Sequence, residues 1–185
     1  MKLESDRYKT GEKAFTRGEY NKLLESITKI EDKLLIVLGV SLGLRRSDLC
    51  NIECDNIDLK NGRLTYWEEK KDRLKTVDIP QTCINLIQMF YNTISRDEIK
   101  KRKYLFSFRG RQAYNRFNKC LVIAGISERP IHALRATCIK FAHDAGWSDE
   151  QIAKLTGDRI TTIQEHYRIP SVDEMRELTK DKPII

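Results

Sequence analysis

The stretch LLIVLGVSLGL, residues 34–44, is the longest apolar run in the chain. A helix needs about 20 apolar residues to cross a bilayer, so this run is too short to span a membrane and predicts a buried helix. Such a helix requires other elements to pack against it. The chain has 185 residues, which is enough for one domain with a sizeable core and short for two.

The other local signals predict a mainly α fold with one small sheet. Thr16 and Glu19 have the pattern of a capping box at the start of a helix, and helical apolar spacing dominates after residue 80. Between these regions, Asn61-Gly62 is a strong hairpin turn signal. Alternating residues on both sides of a second polar turn predict two further strands. The predicted fold class is therefore mainly α with a small three-stranded antiparallel sheet (α+β).

Three segments are predicted along the chain. Residues 1–15 are polar and aperiodic, which is typical of a linker or arm. Residues 16–170 contain the periodic segments and form the folded domain. Residues 171–185 carry a thin apolar stripe and are predicted to form a C-terminal tail helix.

Charge and cysteine content narrow the function classes. The net charge of +7 makes an anionic partner plausible, with nucleic acid as the first candidate. Many mildly basic proteins nevertheless bind no anionic partner. The five cysteines lack the paired spacing of a metal site, and their odd number does not suggest a disulfide framework. Reduced thiols in a cytosolic compartment are the simpler interpretation.

Two motifs place arginine beside apolar helices. In GLRRSDL, Arg45 follows the most apolar predicted helix, where it either complements the helix dipole or forms a rigid fork for an oxyanion. In HALR, His132 and Arg135 are three residues apart and share a helix face, and Arg135 lies on the apolar stripe of that helix. A buried arginine is costly unless an anion meets it. The alternatives are a structural ion pair and an anion-binding site.

Lysines and a tyrosine complete the candidate residues. Lys70, Lys71 and Lys75 crowd the second hairpin turn, a pattern typical of a solvated edge and equally of a flexible cation that reaches a DNA groove. Tyr167, in IQEHYRIP, ends a short apolar stripe that points its ring toward the core. A packing role and a reactive hydroxyl are both open for this residue.

Together these motifs resemble those of the tyrosine recombinases, also called phage-type integrases. The match consists of GLRxSDL, a lysine in the following β-hairpin, HxLR, and a tyrosine in a helix after LTG. Four motifs in this order and at compatible spacing form a strong signal. The resemblance implies the tyrosine recombinase catalytic-domain fold for residues 16–170, and site-specific cleavage and rejoining of DNA.

The resemblance also implies a role for each candidate residue. Tyr167 would attack the scissile phosphate, form a 3′-phosphotyrosyl bond and expel the 5′-hydroxyl. Arg45 and Arg135 would bind the non-bridging oxygens and stabilise the charge of the transition state. His132 would act as a base or as a further donor to these oxygens. Lys71, preferred over the two other lysines of its turn, would protonate the leaving 5′ oxygen.

Further implications concern partners. The resemblance implies double-stranded DNA as partner and assembly into a tetramer on DNA, in the cytoplasm of a prokaryotic or virus-infected cell. Neither a cofactor nor a metal ion is expected, because the two guanidinium groups do the work of metal ions in other nucleases. No membrane and no small-molecule substrate are implied.

One position departs from the family pattern. Nine residues before the tyrosine, where the family usually has histidine or tryptophan, this chain has Asp158. A carboxylate cannot donate to a phosphate unless it is protonated, so Asp158 is predicted to orient Arg45 or Arg135. Divergent sequences of this kind resemble integrases of archaeal viruses and plasmids.

Two other functions compete with the recombinase interpretation. Residues 148–167 resemble a helix-turn-helix, with Gly157 in the turn, which would make the chain a non-enzymatic DNA-binding module. That hypothesis gives no purpose to Arg135 or to GLRRSDL. The second alternative is a partner protein that kept the recombinase fold and lost its activity, and the departure at Asp158 is its main support.

Overall fold

The computed structural model describes residues 11–167 and residue 180, without the side chains of Glu12 and His166. The predicted tail helix lies, apart from residue 180, outside the described residues. The helices are α1 (Arg17–Ser26), α2 (Ile30–Leu42), α3 (Arg46–Cys50), α4 (Gln81–Asn92), α5 (Arg96–Lys101), α6 (Gly110–Ile123), α7 (Ala133–Asp144), α8 (Asp149–Thr156) and α9 (Ile160–Tyr167). The strands are β1 (Ile57–Asp58), β2 (Arg63–Glu68) and β3 (Arg73–Asp78). The predicted fold class is confirmed.

The sheet is an antiparallel meander in the order β1-β2-β3. The Asn-Gly turn between β1 and β2 has Gly62 at φ 64°, a conformation that glycine adopts without steric cost. In β2 the residues alternate between the two faces, and Leu64, Tyr66 and Glu68 are the buried set. The strand therefore carries one carboxylate, that of Glu68, into the interior.

Helix α2 is formed by the apolar run and lies at the centre of the core. Seven of its thirteen residues are buried, and it packs against α4 on one side and α7 on another. At Gly39 the approach of α7 is so close that an added β-carbon would lie 2.7 Å from a methyl carbon of Leu134. The helix ends where Gly43 adopts a left-handed conformation (φ 59°), which turns the chain toward Arg45.

The packed domain begins before Thr16. Phe15 is fully buried and packs edge-on against Phe117, with ring centroids 6.3 Å apart. Its backbone N–H donates to Oγ1 of Thr137 at 2.8 Å. The domain therefore includes a core residue that the sequence assigned to the arm. The predicted capping box of Thr16 and Glu19 is present.

Two helices differ from what their sequences alone indicate. Pro130 is typical of a first helical turn, but α7 begins only at Ala133, because residues 130–133 form a separate turn closed by the N–H of Ala133 and the carbonyl of Pro130 at 2.8 Å. Helix α5 was not predicted, since its six residues are too few for an apolar period. A capping signal was nevertheless present, because Oγ of Ser95 accepts the N–H of Glu98.

Polar contacts outside the sheet fasten α2 to the segment before α6. Glu31 accepts hydrogen bonds from the backbone and hydroxyl of Ser107 at 2.7 and 3.0 Å and ion-pairs with Arg102 and Arg116. The cysteines are free, and all but Cys54 are buried. Among the described residues, no helix has both the length and the apolar character needed to cross a membrane.

Candidate active site

Arg45 lies at the junction between α2 and α3. Its backbone is extended and precedes the first residue of α3, so its side chain is free to reach across the domain. The NH1 group donates to Oε1 of Glu68 at 3.2 Å, and NH2 donates to Oδ1 of Asp158 at 3.1 Å. The guanidinium is thus held by one carboxylate on each side, while 19% of the side chain stays exposed.

Arg135 is buried in α7, as its apolar stripe predicted. The residue is only 1% exposed. Its Nε donates to Oδ2 of Asp158 at 3.1 Å, and its NH2 lies 2.7 Å from the same oxygen. Backbone carbonyls of Gly43 and Thr156 accept from its terminal nitrogens at 2.5 and 2.9 Å. These contacts fix the guanidinium between the end of α2 and the end of α8.

Asp158 joins the two arginines. One carboxylate oxygen faces Arg45 and the other faces Arg135, so both guanidinium groups converge on a single oxyanion. A carboxylate and a phosphate present similar acceptor oxygens to a guanidinium fork. Two arginines that are 90 residues apart in the chain therefore already share one oxyanion, the carboxylate of Asp158.

Tyr167 and His132 form a second pair beside the arginines. The phenol oxygen lies 3.0 Å from Nε2 of His132. Burial, followed by the charge of Asp158, raises the pKa of Tyr167 to about 12. Desolvation and then the positive charge of Arg135 lower the pKa of His132. Both shifts favour the uncharged form of the group concerned.

Helix α9 carries Tyr167 on a hydrophobic cluster of its own. Ile163 is fully buried and packs against Ile139 of α7 and Ile152 of α8. Nε2 of Gln164 also donates to Oδ2 of Asp149 at 2.8 Å. These contacts hold the tyrosine against α7, which carries Arg135 and begins directly after His132.

The three lysines of the β2–β3 hairpin differ in burial. Lys70 and Lys71 are exposed on the turn, and Nζ of Lys71 lies 3.9 Å from Oε1 of Glu68. Lys75 is partly buried on β3, and its Nζ donates to the carbonyl of Leu155 at 2.7 Å. Desolvation, assisted by the charge of Arg135, lowers the pKa of Lys75 to about 8, although Glu68 opposes this shift.

Two buried carboxyl groups of the site were not predicted. Glu68 contacts Arg45 directly, and the alternation of β2 was the signal that could have located it. Asp48, within GLRRSDL, is 3% exposed, and its Oδ1 accepts the N–H of Glu69 at 3.3 Å. Burial raises the pKa of Asp48. In residues 11–167, no group of three or more His, Cys, Asp or Glu side chains is placed to hold a metal ion.

Comparison with known proteins identifies a family and several related sequences. The sequence model of the phage integrase family matches residues 13–172. Tyrosine recombinase XerA of Pyrococcus furiosus is 35% identical over 100 residues, covering 53% of this chain and 34% of the relative. Tyrosine recombinase XerA of Thermococcus kodakarensis is 26% identical over 182 residues, covering 94% of this chain and 64% of the relative. The chain thus spans less than two thirds of each relative.

Solved structures share the fold. A crystal structure of XerA recombinase superposes with a TM-score of 0.76 at 19% identity, covering 93% of this chain and 66% of that one. XerH recombinase bound to its difH substrate superposes with a TM-score of 0.66 at 16% identity, covering 90% of this chain and 53% of that one. The catalytic domain of bacteriophage HP1 integrase superposes with a TM-score of 0.64 at 17% identity, covering 92% of this chain and 95% of that one.

Proposed function

The chain belongs to the phage integrase family, and from this premise we propose that it is the catalytic domain of a site-specific tyrosine recombinase. The observation that carries the proposal is the convergence of Arg45 and Arg135 on one oxyanion, that of Asp158, with Tyr167 on the helix that follows. The helix-turn-helix alternative would need only residues 148–167. It leaves unexplained why the family match extends back to residue 13.

The nucleophile of the proposed reaction is Tyr167. Its hydroxyl attacks the scissile phosphorus, the bond from phosphorus to the 5′ oxygen breaks, and a 3′-phosphotyrosyl link forms. The high pKa of the phenol, about 12, makes the phenolate scarce at neutral pH, so the tyrosine requires a base. Nε2 of His132 lies 3.0 Å from the phenol oxygen and takes the proton as attack proceeds. Rejoining reverses these steps with a different 5′-hydroxyl.

Negative charge that grows on the phosphate oxygens is stabilised by the arginines. Arg45 is the more accessible of the two, and N–H groups not used by Glu68 and Asp158 are available to DNA. Arg135 is held by backbone carbonyls and acts from a fixed position. Preorganised donors of this kind contribute about 3 kcal/mol each to transition-state stabilisation. In this proposal Asp158 orients both guanidinium groups and does not itself bind the phosphate.

The leaving 5′ oxygen receives its proton from a lysine of the hairpin. Two lysines compete for this role. Lys75 is supported by its partial burial beside Glu68 and by a pKa of about 8, which suits proton donation near neutral pH. Lys71, the residue predicted from the sequence, is supported by its exposed position on the turn, from which a flexible ammonium group can reach a DNA backbone.

The proposed substrate is double-stranded DNA. XerH was solved with its difH substrate and lambda integrase was solved bound to DNA, and the net charge of +7 favours a polyanion. We further propose that four copies assemble on paired DNA sites, because exchange of strands between two duplexes requires four cleavages. The free cysteines fit a reducing cytoplasm as the place of action.

A suicide substrate tests the cleavage reaction. Duplex DNA carrying the recombination site, nicked near the cleavage position, loses its short 5′-hydroxyl fragment and traps a covalent protein–DNA adduct. We expect the adduct with the wild-type chain, mapped to Tyr167 by mass spectrometry, and none with Tyr167→Phe. Tyr114→Phe is the control, because that phenol donates to Glu128 outside the site and its loss leaves the adduct unchanged. Tight DNA binding without an adduct would contradict the proposal.

A DNA substrate with sulfur in place of the bridging 5′ oxygen distinguishes which of the two lysines is the general acid. A thiolate leaves without protonation, so the lysine that serves as general acid becomes dispensable on that substrate. We expect Lys75→Ala to cleave normal DNA on the order of 10²-fold more slowly and to recover on the sulfur substrate. Recovery by Lys71→Ala instead would assign the role to Lys71. Lys60→Ala, also a lysine of the sheet region, serves as the control.

A further inference from the structure

Glu68 is buried at a place where neighbouring residues are exposed. Its side chain has no solvent exposure, although Glu69, Lys70 and Lys71 in the adjoining turn are exposed. The alternation of β2 puts it on the same face as Leu64. Burying a carboxylate is costly unless cations or hydrogen-bond donors surround it, so its partners require explanation.

Three cations from separate positions contact this carboxylate. Oε1 accepts from NH1 of Arg45 at 3.2 Å and lies 3.9 Å from Nζ of Lys71. Oε2 accepts from Nε of Arg73 at 3.0 Å, and Arg73 is the cross-strand neighbour of Glu68. Burial alone would raise the pKa of Glu68, but Arg73, Lys71 and Arg45 outweigh it and hold the pKa below its ordinary value. The group is therefore a carboxylate at neutral pH.

Glu68 also abuts the turn between α8 and α9. A β-carbon added at Gly157 would collide with Oε1 of Glu68, so this turn and the carboxylate are in close contact. In the last turn of α8, just before Gly157, the carbonyl of Leu155 accepts from Nζ of Lys75. Glu68 thus lies where three segments meet: the end of α2 with Arg45, the lysine-bearing hairpin, and the turn that leads to Asp158.

We infer that Glu68 is a positioning residue for DNA strand cleavage, one that fixes the Arg45 guanidinium relative to the β2–β3 hairpin. The inference rests on the proposed function. Because Glu68 holds NH1 and Asp158 holds NH2, the plane of the Arg45 guanidinium is set and its remaining N–H groups have a defined direction. Through its contacts with Arg73 and Lys71, the same carboxylate also holds the turn of the hairpin. Phosphate binding by Arg45 and proton delivery by a hairpin lysine therefore depend on one side chain.

The test compares single-turnover cleavage and DNA affinity of Glu68→Gln with those of the wild type. Glutamine keeps the shape and removes the charge, so the guanidinium and the hairpin lose their common anchor. We expect cleavage to slow by about 10- to 100-fold, the effect of a small misplacement of reacting groups. DNA affinity should stay within about twofold, because the carboxylate is buried and binds no DNA. A solely structural role would lower both quantities together.

Two further arms make the result decisive. The loss should be smaller on the 5′-sulfur substrate, because only the lysine part of the defect is bypassed; an equal loss on both substrates overturns the link to the hairpin lysine. Asp78→Asn is the matched control, since Asp78 pairs with Arg63 across the same hairpin at 3.8 Å but is 92% exposed. This control should cleave at the wild-type rate.

Each remaining outcome has one meaning. Wild-type cleavage by Glu68→Gln overturns the inference and leaves the proposed function intact. If the wild type forms no tyrosine adduct, the proposed function fails and the inference fails with it. If Glu68→Gln does not fold, Glu68→Asp decides, because it keeps the charge but withdraws the carboxylate from Arg45. Slowed cleavage by this variant supports the positioning role, and wild-type cleavage rejects it.

Discussion

Asp158 differs chemically from the histidine or tryptophan that the family resemblance leads one to expect at this position. An aspartate has no donor for a phosphate, and here both of its oxygens are occupied by guanidinium groups. In the proposed reaction Asp158 therefore makes no direct contact with the substrate and instead orients the two arginines that would make such contacts. An arginine pair without this shared counter-charge would repel, since both members are at most 19% exposed.

We expect Asp158→Asn to slow cleavage and to destabilise the fold. Breaking a buried ion pair costs about 3 kcal/mol, so thermal unfolding should occur at a clearly lower temperature. Misaligned guanidinium groups should reduce single-turnover cleavage on the order of tenfold, while DNA affinity should not fall, because a negative charge is removed. Cleavage faster than that of the wild type would instead mean that the carboxylate competes with the phosphate for the arginines.

Sequence patterns located single residues of the site better than their partners. The apolar stripe of α7 indicated that Arg135 is buried but did not identify its anion, and only the departure from the family pattern led to the prediction that Asp158 orients Arg45 or Arg135. That anion is Asp158, 23 residues further along the chain, which also meets Arg45 across 113 residues. Local periodicity carries no information on such distant pairs. Glu68 was missed because a charged residue next to a lysine-rich turn is ordinarily solvated.

At the scale of elements, the contact between α2 and α7 determines the spacing of the two arginines. Arg45 follows α2, and Arg135 comes directly after Leu134 in α7. Gly39 allows these helices to approach, because a β-carbon there would lie 2.7 Å from Cδ1 and 3.1 Å from Cβ of Leu134. Neither atom can withdraw easily from a packed core.

Gly39→Ala is therefore expected to destabilise the fold, although alanine is the better helix former. Overpacking costs about 1–3 kcal/mol, against a gain of about 1 kcal/mol in helix propensity. The displaced α7 should also slow cleavage. Gly18→Ala is the control in α1, where nothing lies within 4 Å of an added β-carbon, and it should stabilise the protein slightly. Denaturant unfolding of both variants measures the difference, and equal stabilisation by both would contradict this account.

Element types were more predictable than element limits. The hairpin was recognisable because Asn61-Gly62 and the alternation of β2 agree with each other, and α1 because its capping box is local. The start of α7 cannot be located from the sequence, because Pro130 is compatible with a first helical turn and also with the separate turn that precedes Ala133. Only the packing of the following segment distinguishes between these two conformations, and packing depends on residues that are distant in the sequence.

Over the whole molecule, ion pairs inside the fold set its response to acid. Glu31 fastens the segment before α6 to α2 through Ser107, Arg102 and Arg116. Burial alone would raise the pKa of Glu31, but the hydrogen bonds from Ser107 and the charge of Arg116 outweigh it and lower the pKa below 4.5. Glu19 and Glu68 have lowered pKa values as well. Each therefore stabilises the fold above pH 4.5, and this contribution is lost as pH falls through the folded-state pKa.

Comparing Glu31→Gln with the wild type over a range of pH tests this dependence. At pH 7 the variant should be about 3 kcal/mol less stable, because two partly buried arginines lose a partner. As pH falls below 4.5, the wild-type carboxylate becomes protonated and resembles the amide, so the difference in melting temperature should shrink toward zero. Glu53→Gln, at an exposed pair with Lys103, should differ from the wild type by less than about 1 kcal/mol throughout. If the difference in melting temperature between Glu31→Gln and the wild type were independent of pH, the shape of the Glu31 side chain, and not its charge, would account for its effect on stability.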